Sequence, residues 1–243
     1  MYKILLYFCL FIILILNVKF VLAENEYIES SVNPGSSNKN HKLEDTIKTY
    51  KIKSGRTNVY LITTDKKNIL VDTGNDDMEN LEKELIKYNL SLSEIDLIII
   101  THVHYDHISD LHKIKRKYQI PILVHEKGAK LLRKGKVIVP DITFSKTFYL
   151  DKIGIDGKCI YTSGHSEDSI SIILSNGDAF VGNLIMTASL CGSVYPPFLE
   201  DRKKLLNSWK KLLDIDIKRL YPGHGSYITK KKLRKKYNEN IKE

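Results

Sequence analysis

The sequence contains little cysteine and no short-period repeat. Only three of its 243 residues are cysteine, and Cys9 lies in an apolar segment near the N-terminus, which leaves Cys159 and Cys191 for the rest of the chain. A single possible pair says little about the redox compartment. The two cysteines either form a disulfide or remain free buried thiols, and we favour the thiols. The length suits one large domain or two small ones.

The sequence also lacks the signs of a nucleic-acid-binding protein, although its formal net charge is +9. The first 23 residues contribute +2, and residues 229–243 contribute +5 from seven basic and two acidic residues, so +2 remains for everything between. No groove-reading motif or interleaving of aromatic and basic residues accompanies this charge, and we expect no nucleic acid partner. The basic tail is either a solvated helix face or a segment attracted to an anionic envelope surface.

One long apolar run is present, over residues 4–16, and it follows Lys3. A basic start, a short apolar core and a small residue at Ala23 are typical of a secretory signal peptide, which we assign to residues 1–23. The alternative is an uncleaved membrane anchor, but Asn17 and Lys19 interrupt the longer span that an anchor needs. Both interpretations predict a secreted or extracytoplasmic protein.

The rest of the chain divides into three parts. Polar residues 24–45 are interpreted as a flexible linker, residues 46–228 as the folded domain, and residues 229–243 as a basic C-terminal helix or tail. Within the domain, apolar strand patterns alternate with helical ones in two similar halves, which indicates an α/β layered sandwich. The predicted strands cover 46–52, 58–64, 68–72, 97–101, 122–126 and four segments between 147 and 183; the predicted helices cover 77–89, 107–118, 127–134 and 200–213.

Four potential metal ligands occur within six residues, directly after the buried strand 97–101. They belong to the segment HVHYDH and are His102, His104, Asp106 and His107. Side chains two positions apart at a strand end point the same way, whereas Asp106 and His107 begin the next helix and can be aimed differently. The segment therefore predicts metal binding, with ligands available for two neighbouring ions.

A tetrahedral zinc site needs at least three protein ligands, and two more histidines lie in glycine-containing loops that follow strands. These are His165 in SGHS and His224 in PGHG. A glycine beside each histidine allows the sharp turn that aims an imidazole into a cleft. The other candidates, His41, His112 and His125, lack this setting, and we expect surface or structural roles for them.

Taken together, these motifs resemble those of the metallo-β-lactamase-fold metallo-hydrolases over about residues 46–228. HVHYDH is accompanied, in the family's order, by VDTG (71–74), SGHS (163–166), GN (182–183) and PGHG (222–225). The resemblance implies an α/β (α+β) fold, the four-layer αββα sandwich with two mixed sheets face to face and metals at one edge. It also implies zinc as the cofactor.

The resemblance assigns a role to each candidate ligand. His102, His104 and His165 are expected to hold the first metal, and Asp106, His107 and His224 the second. Asp72 matches the family aspartate that orients a ligating histidine. Without that match, Asp72 would be interpreted as a turn residue before Thr73 and Gly74.

The chain departs from the family pattern at Asn183, where most two-metal members have an aspartate that bridges both ions. An amide offers one neutral carbonyl oxygen, whereas a carboxylate offers two anionic oxygens. Asn183 is therefore expected to be a weak ligand or none. We predict one tight zinc site and a weaker second one.

These assignments predict an exported, zinc-dependent hydrolase. Zinc activates water as a nucleophile. A second metal, or Asp106 and His107 if it is absent, is expected to orient that water and assist the leaving group, and Asp106 is the expected catalytic residue. A small ester, lactone, thioester or amide, including a β-lactam, is the expected substrate. The alternative is a catalytically weak protein that uses the same scaffold to bind metal or ligand. Neither the substrate nor the oligomeric state follows from the sequence.

Overall fold

The computed structural model describes residues 46–75, 78–187, 195–196 and 198–241. The predicted signal peptide and linker lie outside the described residues, and so does Cys191; Cys159 is buried, as expected of the favoured thiol. All described residues belong to one compact unit, Glu44–Glu243. Within these residues, no helix has the length and apolar character needed to cross a membrane.

The first half of the domain forms a mixed six-stranded sheet in sequence order. Its strands are β1 (Lys48–Ser54), β2 (Thr57–Thr63), β3 (Asn68–Val71), β4 (Leu97–Ile99), β5 (Ile122–His125) and β6 (Ile142–Phe144). The first three strands pair antiparallel, and the pairs from β3 to β6 are parallel. Parallel neighbours need crossover connections, and helices supply them after β3, β4 and β5.

The second half forms another mixed six-stranded sheet, in the order β12-β11-β10-β9-β8-β7. Its strands are β7 (Thr147–Tyr149), β8 (Gly157–Tyr161), β9 (Ile170–Leu174), β10 (Asp178–Met186), β11 (Arg219–His224) and β12 (Ile228–Thr229). Only β10 and β11 pair in parallel, and helix α5 (Arg202–Leu213) connects them. The predicted Asn176–Gly177 turn joins β9 to β10, with Gly177 in the left-handed region at φ 89°.

The remaining helices are α1 (Met78–Ile86), α2 (Tyr105–Ile108), α3 (Leu111–Tyr118), α4 (Glu126–Lys134) and α6 (Lys230–Asn240). The single helix predicted over 107–118 is wrong, because the chain forms α2 and α3 with a break between them. The Ser109 amide and hydroxyl both donate to the Gly74 carbonyl, at 3.3 and 2.9 Å, and this contact with the loop after β3 ends the first helix.

Alternating residues of each sheet form separate layers of the core, as the period of two in a strand requires. Between the sheets, Ile62, Ile69 and Ile99 pack with Ile172 and Phe180. On the outer face of the first sheet, apolar residues of α1, α3 and α4 complete a second cluster. On the outer face of the second sheet, α5 and α6 complete a third cluster. The predicted four-layer αββα sandwich is confirmed.

Candidate metal centre

The candidate ligands come from loops at the ends of strands of both sheets. His102, His104, Asp106 and His107 follow β4, His165 lies in the loop between β8 and β9, and His224 ends β11. They form two groups of three, and within each group the potential ligand atoms lie within 4.8 Å of one another. The two halves of the chain therefore meet at this edge of the sandwich.

The first group contains His102, His104 and His165. His165 Nε2 lies 3.0 Å from His104 Nδ1, a separation at which two lone pairs repel each other unless a proton or a cation lies between them. The Nδ1–H of His165 donates to the Phe198 carbonyl at 2.8 Å, which fixes the tautomer and leaves Nε2 as the acceptor in the site. His165 Nε2 thus presents a lone pair to the site, 3.0 Å from His104 Nδ1.

The second group contains Asp106, His107 and His224. Asp106 Oδ2 lies 3.0 Å from His224 Nε2 and 3.6 Å from His107 Nε2. The Nδ1–H of His224 donates to the Arg56 carbonyl at 2.8 Å, so that Nε2 faces the carboxylate. Thr57 Oγ1 also donates to Asp106 Oδ2, at 3.1 Å.

Asp72 is linked to both ligand groups by hydrogen bonds. Its Oδ2 lies 2.7 Å from His107 Nδ1 and 2.8 Å from Thr101 Oγ1, which in turn lies 3.1 Å from His102 Nδ1. Its Oδ1 accepts the Thr101 amide at 2.7 Å. One buried carboxylate therefore orients His107 directly and His102 through a hydroxyl. This arrangement fixes the tautomers of the ligands and raises their basicity.

Three buried polar atoms at the centre have no hydrogen-bond partner among the described residues: His102 Nε2, His107 Nε2 and Asn183 Oδ1. Buried polar groups are normally satisfied, so atoms left without a partner need an explanation. Metal ions bound by both groups would satisfy the imidazole nitrogens. Imidazole and carboxylate donors of this kind suit zinc, and the residues present fit such a cofactor.

Burial sets the charge of the first group. Burial, followed by the neighbouring histidines His107, His165 and His104, lowers the pKa of His102 well below its ordinary value. Burial and the proximity of His104 lower the pKa of His165 to about 4. Both imidazoles are therefore neutral at physiological pH, which is the form that binds a metal.

Hydrogen bonding sets the charge of the second group. Burial raises the pKa of Asp106, but the hydrogen bond with His224 and the charge of His107 outweigh burial and leave the pKa well below its ordinary value. For His224, burial lowers the pKa, but the bonds to Asp106 and to the Arg56 carbonyl leave it raised. Asp106 is therefore an anion at neutral pH.

Asn183 lies in β10 with 5% of its surface exposed, beside the second group. A Cβ on Gly223 would lie 2.3 Å from Asn183 Oδ1 and 2.7 Å from His107 Cε1, so the glycine is required by close approach. Asn183 Oδ1 therefore lies near the His107 ring, and its correspondence to the family's bridging aspartate and its role as a ligand stay predictions. Asp178 lies elsewhere, in an ion pair with Arg219 at 2.7 Å.

Two groups that orient the ligands were not predicted from the sequence, the Asp168 carboxylate and the Phe198 carbonyl. The buried Asp168 accepts the Val103 amide at Oδ2 (2.9 Å) and the Ser166 hydroxyl at Oδ1 (2.8 Å), and so joins the loop of His102 and His104 to that of His165. The Phe198 carbonyl orients His165. Asp168 follows His165 by three residues, a spacing that could have drawn attention to it, whereas nothing in the sequence identifies a carbonyl.

Among the described residues, neither of the other two histidines joins the centre. His112 is exposed on α3, and His41 lies outside the described residues. His125 is buried, stacks on Tyr161 and caps α4 by accepting the Lys127 amide. The structural role expected for His125 agrees with these contacts.

The αββα sandwich and the two ligand groups at its edge together define a metallo-hydrolase scaffold. The family model of the metallo-beta-lactamase superfamily matches residues 53–224. The chain belongs to this superfamily of hydrolases.

Similar proteins include a Caenorhabditis elegans beta-lactamase-like protein 2 homolog, 32% identical over 72% of this chain and 57% of its own length. A probable metallo-hydrolase of Methanocaldococcus jannaschii is 33% identical over 70% of this chain and 87% of its own. An atrochrysone carboxyl ACP thioesterase of Claviceps purpurea is 28% identical over 71% of this chain and 52% of its own. The chain spans 57–59% of the length of the first two animal relatives it matches.

Solved structures show the same fold. The BLEG-1 B3 metallo-beta-lactamase has a TM-score of 0.61 and 24% identity, covering 76% of this chain and 95% of its own. At this identity, the likeness concerns the fold alone.

Proposed function

We propose that this protein is a zinc-dependent hydrolase of a small ester, lactone, thioester or amide. The observation that carries the proposal is the pair of ligand groups, in which buried His102 Nε2 and His107 Nε2 lack hydrogen-bond partners. The relatives named for metallo-hydrolase and thioesterase activity support hydrolysis of a carbonyl compound.

In this proposal, His102, His104 and His165 hold one zinc ion and Asp106, His107 and His224 hold a second. Bound zinc acts as a Lewis acid and makes water acidic enough to act as a nucleophile near neutral pH. The Asp106 carboxylate, anionic and oriented by Thr57, accepts a hydrogen bond from the attacking water and holds it in line with the carbonyl. Asp72 keeps the histidine nitrogens aimed at the site.

The two groups are proposed to differ in affinity. The first group has three histidines, of which His102 and His165 are neutral and held at Nδ1 by hydrogen bonds, whereas the second group lacks the bridging carboxylate that Asn183 replaces. Fewer compensating charges weaken a site that must hold a dication close to another. The first site is therefore the tighter one.

A second function, a catalytically weak metal- or ligand-binding protein, is favoured by Asn183 alone. The same experiment separates the two functions. Wild-type protein supplied with zinc is tested on a panel of esters, lactones, thioesters and β-lactams, while bound metal is measured by mass spectrometry. Turnover that depends on zinc supports the hydrolase, and metal content without turnover across the panel supports the binding protein.

The matched variants are His102→Ala and His112→Ala, because His112 is exposed on α3 and belongs to neither ligand group. His102→Ala is expected to lose the first metal and more than a hundredfold in activity. Replacing a residue that only orients a metal ligand already lowers metal affinity or activity by about 10- to 100-fold. His112→Ala is expected to behave as wild type. Unchanged turnover in His102→Ala would refute the metal-dependent mechanism.

We further propose that the protein is exported and that its basic tail is attracted to anionic envelope surfaces. The apolar run followed by Ala23 supports export. In α6, Lys231, Lys232 and Lys235 are exposed. N-terminal sequencing of the protein from its native cells tests cleavage, and a mature chain that still begins at Met1 would contradict it.

A further inference from the structure

A cavity of about 440 Å³ lies beside the second ligand group, at the turn between β1 and β2. Its walls include Lys51, Arg56, Thr57, Asn58 and Gly225. Ligand pockets for small molecules usually have volumes of ~300–1,000 Å³, so this cavity can hold part of a small substrate.

The cavity and the candidate metal centre share a wall. Thr57 lines the cavity, and its hydroxyl donates to Asp106 Oδ2 at 3.1 Å. The Arg56 carbonyl accepts the Nδ1–H of His224 at 2.8 Å. Gly225, also in the wall, is the residue after His224. A group bound in the cavity therefore lies next to the second ligand group rather than on a separate face.

The cavity is positively charged. Lys51 and Arg56 line it, and none of its lining residues is acidic. Among the described residues, neither cation forms a salt bridge, whereas Lys127 and Lys204, near His165, both pair with Glu167. Lys51 Nζ donates to the Gly225 carbonyl at 2.9 Å, and this contact holds the ammonium against the wall while leaving donors for another acceptor.

We propose that this cavity binds an anionic group of the substrate, a carboxylate or a phosphate, and thereby places the neighbouring scissile carbonyl at the ligand groups. The inference rests on the proposed function and adds the substrate class to it. Arg56 supplies a planar fork suited to two oxygens of such a group, and Lys51 supplies a point charge. Asn58 is engaged with Pro222 and Gly225, and it holds the cavity wall in place.

Binding is tested on the protein as purified, without a reaction. Glutarate, inorganic phosphate and neutral glutaramide are titrated while the backbone amide resonances of Gly55 and Gly225 are followed by NMR. The Lys51→Ala/Arg56→Ala variant is compared with Lys48→Ala/Arg133→Ala, which removes two exposed cations outside the cavity. Arg56→Lys, which keeps the charge, shows whether loss of binding follows charge or damage to the turn.

The expected result is that the cavity variant weakens anion binding at these resonances by about tenfold or more, because it removes both cationic donors. The control variant is expected to bind as wild type, and Arg56→Lys is expected to bind more tightly than the cavity variant but more weakly than wild type, because lysine keeps the charge and lacks the planar fork. A response to glutarate identifies a carboxylate, and a response to phosphate alone identifies a phosphate. Equal binding by the cavity and control variants, or equal binding of glutaramide, would overturn the proposal.

Turnover is tested with the 4-nitrophenyl monoester of glutaric acid and its neutral methyl diester. The cavity variant is expected to raise KM for the charged ester about tenfold more than KM for the neutral ester, whereas Lys48→Ala/Arg133→Ala is expected to leave the ratio of the two KM values as in wild type. If wild-type protein hydrolyses neither ester nor any other member of the panel, the proposed function fails, and the titration still decides whether the cavity binds anions.

Discussion

Asp168 shows how one side chain can position ligands that it does not touch. Its carboxylate connects the loop that carries His102 and His104 to the loop that carries His165, through the Val103 amide and the Ser166 hydroxyl. It is 1% exposed, so both hydrogen bonds are protected from water. All three histidines of the first group thus depend on a residue outside that group.

Asp168→Asn is expected to weaken zinc binding by the first group by about 10- to 100-fold, because an amide can accept at one position only and turns its NH₂ group toward another donor. Competition with a chromogenic chelator measures this change. Asp141→Asn is the matched control, because the Asp141 carboxylate also accepts a backbone amide, that of Ile122 at 2.8 Å, away from the centre. Equal zinc affinities in the two variants would reduce Asp168 to a structural role.

Asn183→Asp is expected to restore the charge that the second metal lacks. The new carboxylate would lie beside His107, where the Asn183 amide oxygen has no partner. We expect bound zinc to rise from about one to two per chain at limiting zinc, as measured by mass spectrometry of the native protein, with activity rising alongside. Without metal, the added buried charge is expected to lower the free energy of unfolding. Two tightly bound metals in wild-type protein would contradict this explanation.

At the scale of elements, Gly164 fixes the loop of His165 against helix α5. Its φ of 141° is one that other residues rarely adopt, and an added Cβ would lie 2.4 Å from the Leu205 Cα and backbone nitrogen. Helix backbone atoms cannot move aside as a flexible side chain can. The Asp201 amide also donates to the Gly164 carbonyl at 3.0 Å, so the loop and the start of the helix are joined.

Gly164→Ala is expected to cost about 2–5 kcal/mol of unfolding free energy, from backbone strain together with overpacking. Gly154→Ala is the matched control, because Gly154 also has a positive φ, 82°, but an added Cβ there meets nothing within 4 Å. Only strain should destabilise the control, by about 1 kcal/mol. Urea denaturation measures both. Equal losses in the two variants would show that the contact with Leu205 is relieved by a small shift.

A strand or helix could be predicted from the sequence when the residues that determine it are neighbours along the chain. The β-strands with apolar alternation, such as β2, were predicted to within two residues, because their pattern directly reflects the buried faces. The short β6 was missed, since its three residues are mostly exposed or half-buried. The break between α2 and α3 was missed because a bond from Ser109 to the distant Gly74 causes it.

The same distinction applies to the centre. The dense HVHYDH segment and the glycine-flanked histidines were predicted from local spacing, and the fold brings all six residues into two groups. The orienting contacts of Phe198, Arg56 and Asp168 come from other segments of the chain. Because no local pattern marks such long-range hydrogen bonds, the sequence could not predict them.

At the scale of the whole molecule, the centre connects the two sheets. His102, His104, Asp106 and His107 follow a strand of the first sheet, whereas His165 and His224 come from the second. Each group therefore takes ligands from both sheets. A metal bound to either group ties the layers together, and its binding free energy adds to the stability of the folded state.

Removal of zinc by a chelator is therefore expected to lower the melting temperature. A ligand present at about 1,000 times its Kd stabilises the folded state by ~4 kcal/mol. For a domain of this size, each kcal/mol shifts Tm by about 2–4 °C, so the expected fall is about 8–16 °C.

The fluorescence of Trp209, the single tryptophan, measures this change. Trp209 is fully buried and its indole donates to the Leu184 carbonyl in β10, so its fluorescence reports unfolding of the second sheet. Added zinc should restore Tm in wild-type protein. His102→Ala should start from a lower Tm and respond less to the chelator. An unchanged Tm in chelator-treated wild-type protein, with metal loss verified, would show that the sheets are joined without help from the metal.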